Sequence, residues 1–383
     1  MASRRLFLLL IACAFIFAAA QGLQAQQTRP SPSPSPTPRD DQEPLKVFTE
    51  EVRLPIVAFD DYGYFDPTLE LDDVLVIEDG VQQQVRSIRH IPASVLLVLD
   101  VDSQITVGKR PETTRNIALR LLSHLRKNDE VAVIQFGNGV QVLQDWTTET
   151  EALPQILKTK LQSGKRGRLS EAIVASAAML KDKPAGSRHV VLITDGIETP
   201  GGRVAYADAV KQLIAAQATV HVISYTGLVR DAIDERNKKK IVSGGDGRQG
   251  NQTPGAMDPT MPDGSINRTP SFKIMTIDTD RAMRRWYKKY ADGTKASEQR
   301  LVQLAEETGG QLLLPETAGD LLSKADEVAR DIGAQYVVTY TPKRPLASAK
   351  AGEYRKIEVA PRRTGVKLRT RRGYIAKIEE GKR

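Results

Sequence analysis

Apolar residues along the chain follow two rhythms. Over residues 48–91 the period is two: Val52, Leu54, Ile56 and Ala58 alternate with Arg53, Pro55 and Val57, the spacing of a strand with one covered face. Asp60-Asp61-Tyr62-Gly63 is turn chemistry. Residues 74–77 (VLVI) predict a strand, Glu78-Asp79-Gly80 a hairpin turn, and residues 81–88 the returning strand. From Ser94 the rhythm changes. Residues 94–99 (SVLLVL), 130–136 and 189–194 (HVVLIT) are continuous apolar runs, as in strands buried on both faces. Residues 140–146, 219–225 and 311–314 predict further strands. Between them, 113–125, 153–161, 169–180, 204–216, 301–308 and 318–332 carry apolar residues at helical spacing. Strands alternating with helices predict an α/β fold, with a mostly parallel central sheet covered by helices on both faces. Residues 335–341, 354–360 and 366–370 return to alternation. They are expected to join the N-terminal strands in one flanking antiparallel β module.

Two stretches stand outside this pattern. Residues 230–298 are rich in Gly, Pro, Asn and Lys and read as an insertion, with residues 281–290 (RAMRRWYKKY) a short basic helix inside it. At the other end, Arg4 and Arg5 precede an uncharged apolar run over 6–20 and then small residues, the layout of a secretory signal. The run is about 15 residues, short of the ~20 a membrane-spanning helix needs; an uncleaved anchor is the alternative and the only membrane contact expected. Leu10-Ile11-Ala12-Cys13 resembles a lipoprotein box, but the apolar run continues past it through Phe15 and Phe17. Pro alternating with Ser in RPSPSPSPTPR makes an extended, solvated tether. The expected organisation is a signal (1–25), a Pro/Ser-rich linker (26–47), an N-terminal β segment (48–92), an α/β domain (93–334, with the insertion) and a C-terminal β segment with a basic tail (335–383). The protein is expected to be exported, and to be periplasmic, surface-bound or secreted.

Composition narrows the chemistry. Aromatic residues are 5% of the 383, so the core is mainly aliphatic. Cys13 is the only cysteine, which excludes a catalytic thiol, a disulfide or a Cys-based zinc site in the folded body. The four histidines, His90, His124, His189 and His221, show no metal-ligand spacing. The formal net charge is +8, and residues 351–383 are strongly basic. Lys367, Arg369 and Arg371 share one face of a predicted strand. That face suits an anionic cell-envelope polymer or lipid headgroups; its alternative is a solvated outer strand guarded by charge against edge pairing. No stacking motif points to nucleic acid.

Ligands of parallel α/β sheets bind beyond the carboxyl ends of the strands. Two apolar strands end in acid there: LVLDVDSQ, with Asp100, Asp102 and Gln104, and LITDG, with Asp195. An aspartate at such a mouth either holds a hard cation or caps the next helix. These residues resemble the von Willebrand factor type A domain, whose metal-ion-dependent adhesion site uses a D-x-S-x-S loop, a threonine and a later aspartate. Asp100 matches the first aspartate and Asp195 the last. Asp102 and Gln104 stand in place of the two serines, and Gly167, in GKRGRLSEA, stands where the threonine belongs. The resemblance implies a degenerate oxygen-only site for Mg2+ or Ca2+ built from Asp100, Asp102, Gln104 and Asp195, or a metal-free fold with capping aspartates. The order of LDDVLVIEDGVQQQVRSI, the strand-end motifs, QYVVTYTP and VKLRTRRGYIA is similar to a family of exported type A domain proteins best known from Acidobacteria. It implies a binding module for a protein or cell-envelope partner. A rival reading is a phosphatase of the haloacid dehalogenase type, with Asp100 as nucleophile, Asp102 as acid/base and Thr194 on the phosphate. Gln104 departs from that motif, and no later acidic pair completes it. A third reading is a metal-independent scaffold.

Overall fold

The structure, a computed structural model, describes residues 50–102, 111–228, 279–317 and 319–376. The expected signal and linker and most of the insertion lie outside them. All described elements belong to one compact unit.

The α/β part is built on a six-stranded sheet. In chain order its strands are β5 (Ser94–Asp100), β6 (Glu130–Phe136), β7 (Val140–Thr147), β8 (Arg188–Ile193), β9 (Thr219–Ile223) and β10 (Leu312–Leu313), and across the sheet they run β10-β9-β8-β5-β6-β7. All pairs are parallel except β6–β7, so an antiparallel strand closes one edge. The continuous apolar run of β5 has its reason here. Val95, Leu97 and Leu99 pack on one face against α1 (Pro111–Leu122), α2 (Leu153–Lys160) and α6 (Asp320–Ala334). Leu96 and Val98 pack on the other, against α3 (Leu169–Leu180), α4 (Tyr206–Ala215) and the C-terminal half of α5 (Thr279–Thr308). With period two, a strand sandwiched between helix layers has no position left for a polar residue.

The remaining strands are β1 (Val52–Asp60), β2 (Val74–Glu78), β3 (Val81–Gln83), β4 (Val85–Arg89), β11 (Tyr336–Tyr340), β12 (Tyr354–Pro361), β13 (Val366–Thr370) and β14 (Gly373–Ile375). N- and C-terminal strands do interleave, but in two antiparallel sheets, β13-β1-β11-β4 and β14-β12-β2-β3. The sheets share a core that includes Leu54, Ile56, Val76, Val338, Tyr340, Ile357 and Tyr374. The expected returning strand over 81–88 is split at Gln84: β3 stays with β2, and β4 crosses to β11. The hairpin turn holds, with Asp79 and Gly80 both at positive φ (47° and 79°), as a two-residue hairpin connection requires. Glu78 before the turn is buried. It accepts hydrogen bonds from Arg355 (Nη1, 2.9 Å), Tyr340 (2.7 Å) and Tyr374 (3.1 Å), which compensates a charge taken out of water.

Two further expectations are corrected. The helix over 301–308 and the short basic helix over 281–290 are one 30-residue helix, α5. Its inward stripe runs Tyr290, Thr294, Ser297, Leu301, Leu304 and Thr308, all buried. Hydroxyl residues hold this stripe at 290, 294 and 297, so apolar periodicity alone divides the helix. The basic strand face also points outward only in part, at Lys367. Arg369 donates to both carboxylate oxygens of Asp331 on α6 and to Gln311 (3.1 Å). Arg371 is buried and donates to the Arg53 carbonyl (2.8 Å). At Arg369 and Arg371 that face is covered, while Lys367 stays exposed, a difference that strand period could not reveal.

Candidate functional site

The strand order puts the site at the sheet's switch point. The chain runs from β5 outward through β6 and β7, then returns to β8 on the other side of β5. Such a reversal opens a crevice at the carboxyl ends of the two central strands. β5 and β8 pair in parallel with Leu99 opposite Ile193, so Asp100 and Asp195 project from neighbouring strand ends.

Each acid is held by local geometry. Asp100 Oδ2 accepts the Thr194 hydroxyl at 2.7 Å, and Oδ1 accepts the Asp102 N–H at 3.0 Å. Asp102 is fixed through its backbone, which bridges to Gly164. Asp195 Oδ1 accepts the Ile197 N–H at 3.0 Å, and Oδ2 accepts the Tyr290 hydroxyl at 3.1 Å. The Asp195 carbonyl takes the Ser297 hydroxyl. Asp100 and Asp195 are each 1% exposed and Asp102 7%. Two phenols face this cluster. Burial pushes Tyr225 well above its ordinary pKa, and the charges of Asp100, Asp195 and Asp102 add to the effect. Tyr290 is raised for the same reasons, burial first, with Asp195 the strongest charge. Both phenols therefore stay protonated, and the three aspartates act on one shared space.

The neighbouring loop explains a departure from the type A pattern. A Cβ on Gly167 would stand 2.6 Å from the Ile197 carbonyl oxygen, so a threonine has no room there without backbone movement. The Gly167 N–H instead meets the Thr199 hydroxyl at 2.9 Å. Glu198 caps α3: it accepts the Ser170 hydroxyl at 2.6 Å and the Ser170 N–H at 3.3 Å, an acid at the positive end of a helix.

Of the four residues expected to form a metal site, Asp100, Asp102 and Asp195 come together; Gln104 lies outside the described residues. The donors are all oxygen, the set that Mg2+ and Ca2+ take. As arranged, however, they do not fit a cation. Among the described residues no three acidic or imidazole side chains are gathered in a metal-holding group, and the carboxylate oxygens of Asp100 and Asp195 take hydrogen bonds from the chain itself. Tyr225, Tyr290 and Ser297 belong to no strand-end motif, and Thr194 enters the sequence pattern only as a phosphate ligand. The one signal for Tyr290 and Ser297 was their helical spacing from Leu301.

Residues 95–198 match the family of the von Willebrand factor type A domain. Solved structures similar to this chain include BatB from Bacteroides thetaiotaomicron, at 22% identity and TM-score 0.31 over 35% of this chain and 66% of that one. Another is an aerotolerance-related membrane protein from Bacteroides fragilis, at 16% identity and TM-score 0.35 over 63% of this chain and 98% of that one. A third is proximal thread matrix protein 1 from the mussel byssus, solved with zinc in its MIDAS motif. It has 17% identity and TM-score 0.31 over 35% of this chain and 38% of that one. This chain thus spans just under two thirds of the BatB chain and less than half of the mussel one. No curated protein matches at the level of sequence.

Proposed function

We propose, from the premise that residues 95–198 form a von Willebrand factor type A domain, that this protein is an exported, non-enzymatic binding module that recognises a partner at its strand-end face. The observation that carries the reading is the pairing of β5 with β8, which brings Asp100 and Asp195 to one crevice at the switch point. The β sandwich fastened beneath the opposite end of the sheet leaves that face as the working surface. A protein partner is favoured over an anionic envelope polymer, because Arg369 and Arg371 are committed inside the molecule. Export rests on the N-terminal signal pattern; among the described residues no helix is long and apolar enough to cross a membrane.

The phosphatase reading is disfavoured by the state of its nucleophile. Asp100 is buried, and the Thr194 hydroxyl, assigned there to phosphate, donates to Asp100 instead. Thermal unfolding and pull-down test the proposal together. The mature chain should capture a partner from cell-envelope extract, and Asp100→Ala should lose it. Capture unchanged in Asp100→Ala, with and without EDTA, would move the binding surface elsewhere. A generic phosphatase assay giving more turnover in wild type than in Asp100→Asn would restore the enzyme reading.

A further inference from the structure

The helix α5 does more than complete the helix layer. Leu301 and Leu304 belong to the core on one face of the central sheet, whereas Tyr290 belongs to the core on the other face. Between them the helix passes the carboxyl-end rim of the sheet at Asp195. Where it crosses, its buried stripe turns from leucine to hydroxyl: Tyr290, Thr294 and Ser297. Two of these bond the same residue, Tyr290 to the Asp195 carboxylate and Ser297 to the Asp195 carbonyl. Arg300 reaches the next carbonyl, that of Gly196, at 3.4 Å. The seat is close. Gly196 has φ +68°, and a Cβ there would stand 2.6 Å from Leu301 Cδ1 and 2.7 Å from Ser297 Oγ.

The crossing stretch also contains a weak point. Gly293 lies within the helix, one residue before Thr294, and a Cβ at this position would meet nothing within 4 Å. No packing demands a glycine here, and glycine lowers helix stability relative to alanine. The cover is thus bonded to the rim through hydroxyls and hung on a segment of reduced helical stiffness.

We propose that residues 290–297 of α5 are a built-in cover of the strand-end site, which opens to a protein partner only when Tyr290 leaves Asp195. This rests on the strand-end face being the binding surface. It accounts for carboxylates that are gathered yet turned inward. A site whose competent form is a minor population binds weaker in proportion to that population, so loosening the cover strengthens binding without new contacts.

Hydrogen exchange on the full chain tests the cover without reference to any ligand. The reporters are the amides of Gly196 and Ile197, which donate to Thr194 and Asp195, and those of 287–297. Tyr290→Ala should speed exchange in both stretches together, by roughly tenfold. Gly293→Ala should slow both. Amides of β5 should stay unchanged in each variant, showing that the fold is intact. Faster exchange in 287–297 with 196 and 197 unchanged, or opposite responses from those predicted, overturns the proposal. Capture from cell-envelope extract separates the two readings. More partner retained by Tyr290→Ala than by wild type, lost again on adding Asp195→Asn, supports both. Equal, measurable capture by wild type and Tyr290→Ala overturns the cover. Capture by neither, with the exchange responses as expected, retains the cover and removes the strand-end face as the binding surface.

Discussion

Strand β8 starts and ends in a buried polar cluster, and the two are closed by different means. At its start, His189 stacks on His221 of β9, with ring centroids 5.7 Å apart, and His221 faces Asp331 of α6 at 3.2 Å. Gln335 offers its amide to His189 (3.2 Å) and to the Gly186 carbonyl (2.8 Å), and Arg369 from the β sandwich clasps Asp331. Burial holds both imidazoles neutral, pushing each down to about 3. Past its end, Asp195 meets the hydroxyls of Tyr290 and Ser297 from one helix. A carboxylate answered by a guanidinium across two layers is a structural joint, costly to break. A carboxylate answered by hydroxyls on a glycine-bearing helix can be uncovered at smaller cost. One strand thus links a fixed end to an end that can open.

The contrast is broken most severely at the joint. Arg369→Met strands the buried Asp331 charge and should cost about 3 kcal/mol, read as a lower urea midpoint. The next effect comes from pH. Unfolded imidazoles take up protons near 6.5, whereas the folded pair does so only near 3, so the unfolded state binds more protons in that window and stability falls as pH drops from 6.5 toward 3. Asp331, pushed up by burial against the pull of Arg369, titrates in the opposite sense and trims the loss. Between pH 6.5 and 4.5 we expect a net loss of stability, and a flatter profile in His189→Gln/His221→Gln; equal slopes would mean the joint does not titrate.

At the rim the effects are smaller. Thr194→Val deprives Asp100 of a hydroxyl donor and should cost about 1–2 kcal/mol in thermal unfolding. Tyr290→Phe removes a hydroxyl held at the longer distance of 3.1 Å from Asp195 and should cost about 1 kcal/mol, while still speeding exchange at Ile197. A loss for Tyr290→Phe as large as that for Arg369→Met would erase the distinction between the two ends.

Much of this site can be read directly from the residues. Asp100 and Asp195 announce themselves because an apolar strand buried on both faces has no reason to end in acid unless something meets it there. That the acids are neighbours follows from the connectivity rules of α/β sheets, and the β5–β8 pairing agrees. Tyr290 was hidden because Thr294 and Ser297, small and hydroxylic, do not mark a helix face, so the pattern broke between 290 and 301. Arg369 and Arg371 misled for another reason: period two tells which residues share a face of β13, not what covers it. Gly167 showed that a ligand was missing, but not that the Ile197 carbonyl occupies its place.

Local pattern determined the α/β alternation, the strand-end acids and the hairpin at Glu78-Asp79-Gly80, because each depends on residues a few positions apart whose spacing selects one backbone geometry. Tertiary structure alone decided that two β sheets share one core, that a basic strand turns inward to Asp331, and that one helix lies across the acids. Those outcomes depend on contacts between residues tens to hundreds of positions apart, such as Asp195 with Tyr290 and Arg369 with Asp331, whose partners are chosen by the packing of whole layers.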